Sequence, residues 1–277
     1  MEPLLFKNIV NLKSSNGWKG VVVRKWSDIT FDPAELITNP ERIYKSEKGN
    51  ITSLKTVKWS NGNIPFVVKK TVPSNGFKKI LNVFRTPKSL RNFKLALLLK
   101  QKDIEVAEPV AAFWNNQNES IYVTEFIPDS QDLSAIAFGK NPEILSSYSA
   151  RKAIISQMAQ LLAKLFKAGF WHRDPKGNNF IIYKDENTYK AKLIDLDGIK
   201  LNILCSREKQ IRTLAIFTKT LTRFKNVNLT DLYRGFLIYY QTMRIYGVDS
   251  KSLFRKIERT MVAYKLLSIL KSSDKFK

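Results

Sequence analysis

His172-Arg173-Asp174-Pro175-Lys176-Gly177-Asn178-Asn179 and, further along, Leu193-Ile194-Asp195-Leu196-Asp197-Gly198 are the two most informative stretches of this chain. In the first, Asp174 precedes Asn179 by five residues, and in the second Asp195 ends a short apolar run. This spacing is typical of the catalytic loop and the metal-binding aspartate of phosphotransferases. The two stretches therefore predict phosphoryl-transfer chemistry.

Phosphoryl transfer needs one carboxylate near the attacking hydroxyl, and a carboxylate and an amide oxygen that hold Mg²⁺ against the nucleotide phosphates. We predict Asp174 as the catalytic base and Asn179 and Asp195 as the metal ligands. Taken one at a time, these residues are also typical of turns and strand-end caps, so only their combination favours catalysis. His172 is assigned to scaffolding of the loop, because a lone histidine more often packs than titrates for function.

The segments around the two stretches support this interpretation. Short apolar runs at Phe180 to Tyr183 and Ala191 to Ile194 flank Asp185-Glu186-Asn187, which predicts a β-hairpin. Such a hairpin would bring Asn179 and Asp195 together. Upstream, an amphipathic helix is predicted from Ser147 to Ala168, with Gly169 as its C-cap. Its buried stripe would consist of Ile154, Ile155, Met158, Leu161, Leu162 and Leu165.

The first half of the chain has a different composition and predicts an α+β protein with two unequal parts. All ten prolines lie at or before Pro175, whereas the last hundred residues show helical periodicity. We place the boundary so that residues 1–128 form an N-terminal part and residues 129–277 a C-terminal part. The N-terminal part is predicted to contain a helix, Lys88 to Lys102, with an apolar face of Leu90, Phe93, Leu97 and Leu98. Its predicted strands are Arg42 to Lys45, Thr52 to Trp59, Ile64 to Lys70, Pro109 to Trp114 and Ser120 to Ile127.

Three features of this part could bind a nucleotide. Lys69 ends the predicted strand Phe66-Val67-Val68-Lys69, as a phosphate-binding lysine does, although a register error of one residue would select Lys70 instead. The segment Tyr122 to Ile127 is assigned to the hinge, where the backbone of Glu125 and Ile127 would meet the adenine edge. Residues 46–53 occupy the place of a nucleotide-covering loop but contain a single glycine, which is a weak signal.

The charge of the chain limits its partners. Its 47 Lys+Arg residues exceed its 24 Asp+Glu residues, for a formal net charge of +23, and 44% of its residues are hydrophobic. A folded, strongly basic protein is therefore predicted, with attraction to nucleic acid, anionic membranes or phosphorylated substrates. Cys205 is the single cysteine, which excludes an intrachain disulfide and a thiolate metal cluster. The absence of a signal-like N-terminus or a long apolar run predicts a soluble or peripheral protein in a reducing compartment.

The sequence resembles the lipopolysaccharide kinase (Kdo/WaaP-like) family from about Ile43 to Tyr240. Three stretches besides the catalytic loop carry this resemblance. They are Asp103-Ile104-Glu105-Val106-Ala107-Glu108-Pro109-Val110, Ala168-Gly169-Phe170-Trp171-His172-Arg173-Asp174 and Leu229-Thr230-Asp231-Leu232-Tyr233-Arg234-Gly235-Phe236-Leu237-Ile238-Tyr239-Tyr240.

The resemblance implies a two-lobed protein-kinase-like fold, with a small antiparallel β-rich N-lobe that has one main helix and a larger helical C-lobe. It implies ATP and Mg²⁺ as co-substrates, and transfer of the γ-phosphate to a sugar hydroxyl of a lipopolysaccharide core at the cytoplasmic face of the bacterial inner membrane. By this resemblance Asp174 is the base, Asn179 and Asp195 are metal ligands, and Lys69 binds phosphate.

Two departures from the family pattern matter. Ser74 to Lys102 contains no acidic residue, so the helix glutamate that usually pairs with the strand lysine is missing or supplied elsewhere. Asp197 adds a carboxylate next to Asp195, where it could bind a second ion or cap a turn. No proline follows Pro175, which excludes the Ala-Pro-Glu motif of eukaryotic-type protein kinases. The short apolar and basic segment between Gly198 and Arg207 stands in its place and favours a small-molecule or glycolipid acceptor.

Three functions remain open at this stage. The leading hypothesis is a kinase acting on a lipopolysaccharide core sugar. The others are a kinase-fold phosphotransferase for a soluble metabolite or protein, and a catalytically silent kinase-like protein that binds polyanions, nucleic acid being the weakest option. A basic cluster, which could equally be a solvated helix face, is a candidate membrane contact; it consists of Lys78, Lys79, Arg85, Lys88, Arg91 and Lys94.

Overall fold

The structure is a computed structural model, and it describes residues 8–13, 17–60, 62–73, 86–139, 143–201, 206–245 and 247–273, with side chains to residue 268. The chain divides into two compact units. One unit consists of residues 1–101 and 107–127, and the other of residues 102–106 and 128–277. Cys205 and three members of the basic cluster, Lys78, Lys79 and Arg85, lie outside the described residues.

The first unit is built around an antiparallel sheet. Its strands are β1 (Ile9–Lys13), β2 (Trp18–Val23), β3 (Arg42–Glu47), β4 (Asn50–Trp59), β5 (Gly62–Thr71), β6 (Pro109–Asn115) and β7 (Ser120–Glu125). They pair in the order β1-β2-β6-β7-β5-β4-β3. The strands predicted from the sequence are confirmed as β3 to β7, whereas β1 and β2 were not predicted. Residues 46–53, interpreted as a nucleotide-covering loop, form the tight hairpin between β3 and β4, with Lys48 and Gly49 both at positive φ.

One face of this sheet carries an aromatic core. Phe66 of β5 is 1% exposed and contacts Trp26 and Phe31, with ring centroids 5.5 Å and 5.7 Å apart. Both partners come from the N-terminal segment, which also contains the short helix α1 (Pro33–Ile37). Because β strands place alternate residues on opposite faces, Phe66 and Val68 point into this core and Val67 and Lys69 lie on the other face.

Helix α2 (Lys88–Gln101) contacts β6 and β7, and Ser89 Oγ donates a hydrogen bond of 2.8 Å to the Phe113 carbonyl. The helix is as predicted, but its buried face differs in detail. Phe93 is buried, whereas Leu90, Leu97 and Leu98 are only half-buried. The buried face consists of Ser89, Asn92, Phe93, Ala96 and Leu99.

The second unit is largely helical. Its helices are α3 (Leu133–Phe138), α4 (Glu143–Ser146), α5 (Tyr148–Lys167), α6 (Arg207–Leu221), α7 (Leu229–Met243) and α8 (Ser250–Ser273). Helix α5 begins at its N-cap Ser147 and is followed by Gly169 at φ +81°, as predicted, and all six residues of its predicted stripe are buried. It packs against α7, while α6 packs against α8.

Two small sheets complete this unit. One contains β8 (Gln131–Asp132), β10 (Phe180–Asp185) and β11 (Thr188–Leu193), and the other contains β9 (Phe170–His172) and β12 (Ile199–Leu201). The predicted hairpin is β10–β11, with Glu186 at φ +51° in its turn. The end of β11 is also held by residues 102–106, since Leu193 N donates to the Glu105 carbonyl at 3.0 Å.

A nearly buried ion pair joins α5 to α7. Arg151 Nε donates to Asp231 Oδ2 at 2.8 Å, and the two side chains are 12% and 4% exposed. Asp231 also closes a capping box with Asn228 at the start of α7. The Asp231 carboxylate therefore has two roles. It neutralises the charge of Arg151, and it accepts a hydrogen bond from the backbone N–H of Asn228 at the start of α7.

We expect Asp231→Ala to lower the free energy of unfolding by about 3 to 5 kcal/mol, because it leaves the Arg151 guanidinium largely buried without its counter-ion. Asn228→Ala is the matched control: it removes the cap alone and should cost about 1 kcal/mol. Urea unfolding of both variants measures the difference. Equal losses in the two variants would show that the ion pair adds nothing to the cap.

Candidate active site

The predicted catalytic loop lies between the two small sheets of the second unit. At one end β9 pairs with β12, and Arg173 N donates to the Gly198 carbonyl at 2.8 Å. At the other end β10 pairs with β11, and Ile194 N donates to the Asn179 carbonyl at 3.1 Å. The chain from residue 173 to 179 therefore runs beside the chain from residue 194 to 198. Asn179 and Asp195 are brought together in this way, as the hairpin predicted.

Asp174 is held by its backbone and exposes its carboxylate. Its N–H donates to His172 Nδ1 at 3.1 Å, and its carbonyl accepts hydrogen bonds from Lys176 N at 2.9 Å and from Asn179 Nδ2 at 2.8 Å. Its side chain is 44% exposed and pairs with Lys176 Nζ at 2.8 Å. This ion pair was not predicted from the sequence, although Lys176 stands in the motif itself. An exposed pair of this kind contributes little stability, but it keeps a positive charge next to the carboxylate.

Asn179 and Asp195 present oxygen donors. Asn179 Nδ2 donates to the Asp174 carbonyl, so the amide oxygen is the atom of this side chain that could bind a cation. Asp195 precedes a short 3-10 turn, Leu196–Gly198, and its Oδ1 accepts a hydrogen bond of 3.3 Å from Asp197 N. This contact caps the turn with Asp195 itself, while Asp197 supplies its backbone N–H.

The donor set suits Mg²⁺. In the described part of the chain, no group of three or more His, Cys, Asp or Glu side chains is arranged to hold a metal ion. Mg²⁺ prefers oxygen ligands and is usually held by one or two carboxylates together with water and substrate phosphates, not by a complete protein cage. One carboxylate and one amide oxygen, as in Asp195 and Asn179, fit that requirement.

His172 is the internal support of the loop. Its side chain is fully buried, its ring stacks on Phe180 with centroids 6.4 Å apart, and its carbonyl accepts a hydrogen bond of 2.8 Å from Thr213 Oγ1 of α6. A Cβ at Gly198 would come within 2.5 Å of the imidazole Cε1, so only glycine fits at that position without displacing the ring. No local pattern in the sequence points to Thr213, because the contact spans 41 residues.

Burial lowers the pKa of His172 from 6.5 to about 4, against the opposing attraction of Asp195 and Asp174. Between these two pKa values the unfolded chain binds a proton that the folded chain does not. The free energy of unfolding should therefore fall as the pH drops below about 6.5, by roughly 2 kcal/mol at pH 5, and level off below about pH 4. Urea unfolding at pH 7 and pH 5, without nucleotide or Mg²⁺, measures this loss. His172→Asn should lack this component, and an identical pH dependence in both proteins would contradict the assignment.

The predicted phosphate-binding lysine lies in the first unit. Lys69 is half-buried in β5, between Thr52 of β4 and Tyr122 of β7. Lys70, the alternative, points to the opposite face, where its ammonium pairs with Glu119 at 3.2 Å. The described helix α2 contains no acidic residue, and the polar side chains that it buries are Ser89 and Asn92. The geometry of the sheet thus favours Lys69 over Lys70.

The predicted hinge residues follow the same sheet. Glu125 ends β7 opposite Phe66, and Ile127 is buried just beyond it. The Glu125 N–H donates to the Glu108 carbonyl at 3.0 Å, while its Oε1 accepts from Glu108 N at 3.1 Å. This N–H is therefore already used within the unit, and the prediction of an adenine contact now refers to the Glu125 carbonyl and the Ile127 backbone.

Comparison with solved structures gives the class of the fold. The chain is similar to the structure "WaaP in complex with acyl carrier protein", with 18% identity over 87% of this chain and 95% of that one and a TM-score of 0.58. It is also similar to the PknI kinase domain of Mycobacterium tuberculosis, with 10% identity over 83% and 100% of the two chains and a TM-score of 0.46. The pseudokinase domain of BIR2 matches with 14% identity over 84% and 81% and a TM-score of 0.45. The similarity to WaaP shows a protein-kinase-like fold of the α+β class, which confirms the fold predicted from the sequence.

The family follows from the sequence comparison. Residues 38–253 match the model described as the lipopolysaccharide kinase (Kdo/WaaP) family. Because this match covers well over half of the chain, the protein belongs to that family, as its motifs indicated. A search of the curated proteins finds no match.

Proposed function

We propose that this protein is an ATP-dependent kinase that transfers the γ-phosphate to a sugar hydroxyl of a lipopolysaccharide inner core, either Kdo or heptose. Membership of the family supports the class of acceptor. The observation that carries the proposal is the loop in which Asn179 is hydrogen-bonded to the carbonyl of Asp174 and Ile194, next to Asp195, is hydrogen-bonded to Asn179. These contacts support the proposal because the residues involved include three side chains of the kinds needed for phosphoryl transfer.

In this proposal Asp174 accepts the proton of the sugar hydroxyl. Its three backbone hydrogen bonds fix the position of the residue, while its 44% exposure leaves the carboxylate accessible to an acceptor. Lys176 Nζ lies 2.8 Å from this carboxylate and places a positive charge next to it. The rigid backbone and the accessible side chain together suit a positioned general base.

Asn179 and Asp195 would hold Mg²⁺, which when bound neutralises negative charge on the nucleotide phosphates. The two residues are fixed by different devices. Asn179 is held by its side-chain amide on Asp174, and Asp195 by the short turn that it caps. Since both supports are hydrogen bonds to the local backbone, the oxygen donors are oriented before the ion binds.

The first unit would bind the nucleotide. We assign Lys69 to the phosphates, and the Glu125 carbonyl and the Ile127 backbone to the adenine edge. The face of β5 that carries Lys69 also carries Val67, a small apolar side chain suited to lie against a base. These assignments are supported by strand position, since Lys70 is committed to Glu119 on the opposite face.

One observation favours a different function. Helix α2 has no carboxylate to orient Lys69, and this favours a catalytically silent kinase-like protein that binds polyanions. A phosphotransferase for a soluble metabolite or a protein is the remaining alternative. Asp174, Asn179 and Asp195 are all present and held in the loop, and this argues for an active enzyme.

The proposed partners are an anionic lipid surface and its glycolipids. The net charge of +23 favours such a surface. Of the basic cluster predicted as a membrane contact, Arg91 and Lys94 are exposed on α2 and Lys88 is half-buried. No helix among the described residues has the length and hydropathy to cross a bilayer. Membership of the family supports our proposal of a peripheral location at the cytoplasmic face of the inner membrane. WaaP was solved with acyl carrier protein, and a partner of that kind is a further proposal here.

The direct test is to incubate the protein with Mg²⁺-ATP and a panel of dephosphorylated core glycolipids, with detection by mass spectrometry. A mass increase of one phosphate on a glycolipid supports the proposal. Parallel reactions with soluble sugars and with proteins test the alternative acceptors. Binding of ATP without transfer to any acceptor would favour the silent protein instead.

A further inference from the structure

Trp171 lies three residues before Asp174, and two cations lie against its ring. We refer to Trp171, Lys209 and Arg212 together as the platform. The Trp171 side chain lies on β9 between Phe170 and His172, which are both buried, so Trp171 points to the opposite side and is only half-buried. Two cations of α6 lie against its indole ring. Lys209 Nζ is 5.6 Å from the ring centroid, and the Arg212 guanidinium carbon is 5.9 Å from it.

The platform carries an excess of positive charge. Lys200 is exposed and directly opposite Trp171 in the β9–β12 pair. From Gly198 to Arg212 the sequence contains four basic residues and one acidic residue, Glu208. Positive charges on this side of the ring would attract an anion that binds there.

An aromatic ring among cations is a recognisable combination. The C–H groups on the face of a sugar pack well against the electron-rich face of an indole, and lysine and arginine donate hydrogen bonds to carboxylates and phosphates. Neither feature alone selects an acidic sugar, because the ring would accept neutral sugars and the cations would accept any anion. Together they favour a sugar that carries a negative charge.

The platform is connected rigidly to the catalytic loop. An extended chain of three residues spans at most about 10 Å, so the backbone of Trp171 lies within that distance of Asp174. The intervening His172 is fixed by Thr213 of α6, the helix that also carries Lys209 and Arg212. A ligand on the platform would therefore keep a constant position relative to the Asp174 carboxylate.

We propose that Trp171, Lys209 and Arg212 form a subsite for an anionic sugar, one that carries a carboxylate or a phosphate, next to the acceptor hydroxyl. This inference rests on the proposed kinase function, and it adds the residues that select the acceptor. The subsite binds the acidic part of the glycolipid while Asp174 faces the hydroxyl to be phosphorylated.

Binding can be tested without catalysis. In a titration followed by NMR of the indole N–H of Trp171, the methyl glycoside of Kdo represents the carboxylate and mannose 6-phosphate the phosphate. We expect at least one of them to shift this resonance with saturation, whereas neutral methyl mannoside should not. Which of the two binds identifies the charged group. Equal shifts with the neutral sugar, or none with either acid, would overturn the proposal.

The charge contribution needs a matched control. Lys209→Ala should raise the Kd of the anionic sugar about tenfold, as expected for the loss of one hydrogen bond to a charged group. Lys152→Ala removes the same charge at an exposed position on α5, fifteen residues before that helix ends, which is about 22 Å along its axis. Equal effects of the two variants would show non-specific attraction and contradict the subsite.

The kinetic test separates this inference from the proposed function. Trp171→Ala should raise the KM for the glycolipid about tenfold and leave the KM for ATP and kcat within about twofold, and Trp171→Phe should restore most of the loss by keeping an aromatic ring. Circular dichroism verifies that both variants are folded. If Trp171→Ala transfers phosphate to the glycolipid with an unchanged KM, the subsite is overturned and the proposed function stands. If the unmodified protein transfers no phosphate, the proposed function is overturned, and the NMR titration alone decides whether the subsite exists.

Discussion

Asp174→Asn should lower kcat for phosphoryl transfer by about 10² to 10⁴ while leaving the affinity for ATP within about twofold. The amide has the shape of the carboxylate but cannot accept the proton of the sugar hydroxyl, so the loss is that of general base catalysis. The backbone hydrogen bonds of residue 174 to His172, Lys176 and Asn179 are independent of the side chain and should persist. Steady-state kinetics with the glycolipid acceptor, together with calorimetric titration of ATP, measures both quantities.

The matched control is Asp185→Asn, which makes the same chemical change at an exposed position at the end of β10. It should leave kcat unchanged. Near-normal turnover in Asp174→Asn would remove Asp174 as the base. A parallel loss of ATP affinity would instead indicate that Asp174 helps to bind the nucleotide.

Asp195→Asn should abolish the Mg²⁺ dependence of nucleotide binding and reduce transfer by about 10³ or more. A metal ligand that loses its negative charge removes several kcal/mol of stabilisation from the phosphates, and each 1.4 kcal/mol corresponds to a factor of ten. Asparagine retains an Oδ1 that can accept from Asp197 N, so the turn after β11 should survive. Titration of ATP at increasing Mg²⁺ concentration, compared with the unmodified protein, tests this expectation.

Asp197→Asn is the informative companion variant, because it separates two roles that the sequence left open. If Asp197 acts only through its backbone N–H, nucleotide binding by the variant should keep its normal dependence on Mg²⁺ concentration. If Asp197 binds a second ion, nucleotide binding should respond less to Mg²⁺, and only at high Mg²⁺ concentrations. An unchanged metal titration in Asp195→Asn would contradict the assignment of Asp195.

Local patterns were sufficient for most of the fold. Strands β3 to β7, helices α2 and α5 and the β10–β11 hairpin are marked by alternation, helical periodicity or turn residues within a few positions of each other. Strands β1 and β2 were missed, although they pair with each other as a local hairpin and Val21-Val22-Val23 is a β-branched run. Only the pairing of β2 with β6, which joins residues about ninety positions apart, has no local signal. Strands β9 and β12 are three residues long, which is too short for a period to show.

The candidate site was predictable where it depends on a motif and a hairpin. The proximity of Asn179 and Asp195 follows from the β10–β11 pairing, which the sequence indicates. Two other contacts depend on how α6 packs against β9: the hydrogen bond from Thr213 to the His172 carbonyl, and the position of the cations over Trp171. No local sequence pattern indicates this packing. The ion pair of Lys176 with Asp174 could have been found from their spacing of two residues.

The N-terminal segment has a practical consequence for producing the protein. The match to the family begins at residue 38, but Trp18, Ile29 and Phe31 are buried members of the aromatic core around Phe66. A recombinant version trimmed to the matched region would lose β1 and β2 and leave the hydrogen-bonding edge of β6 bare. Exposed strand edges pair with other chains, so such a truncated protein should precipitate or form inclusion bodies. A recombinant version should therefore begin before Ile9.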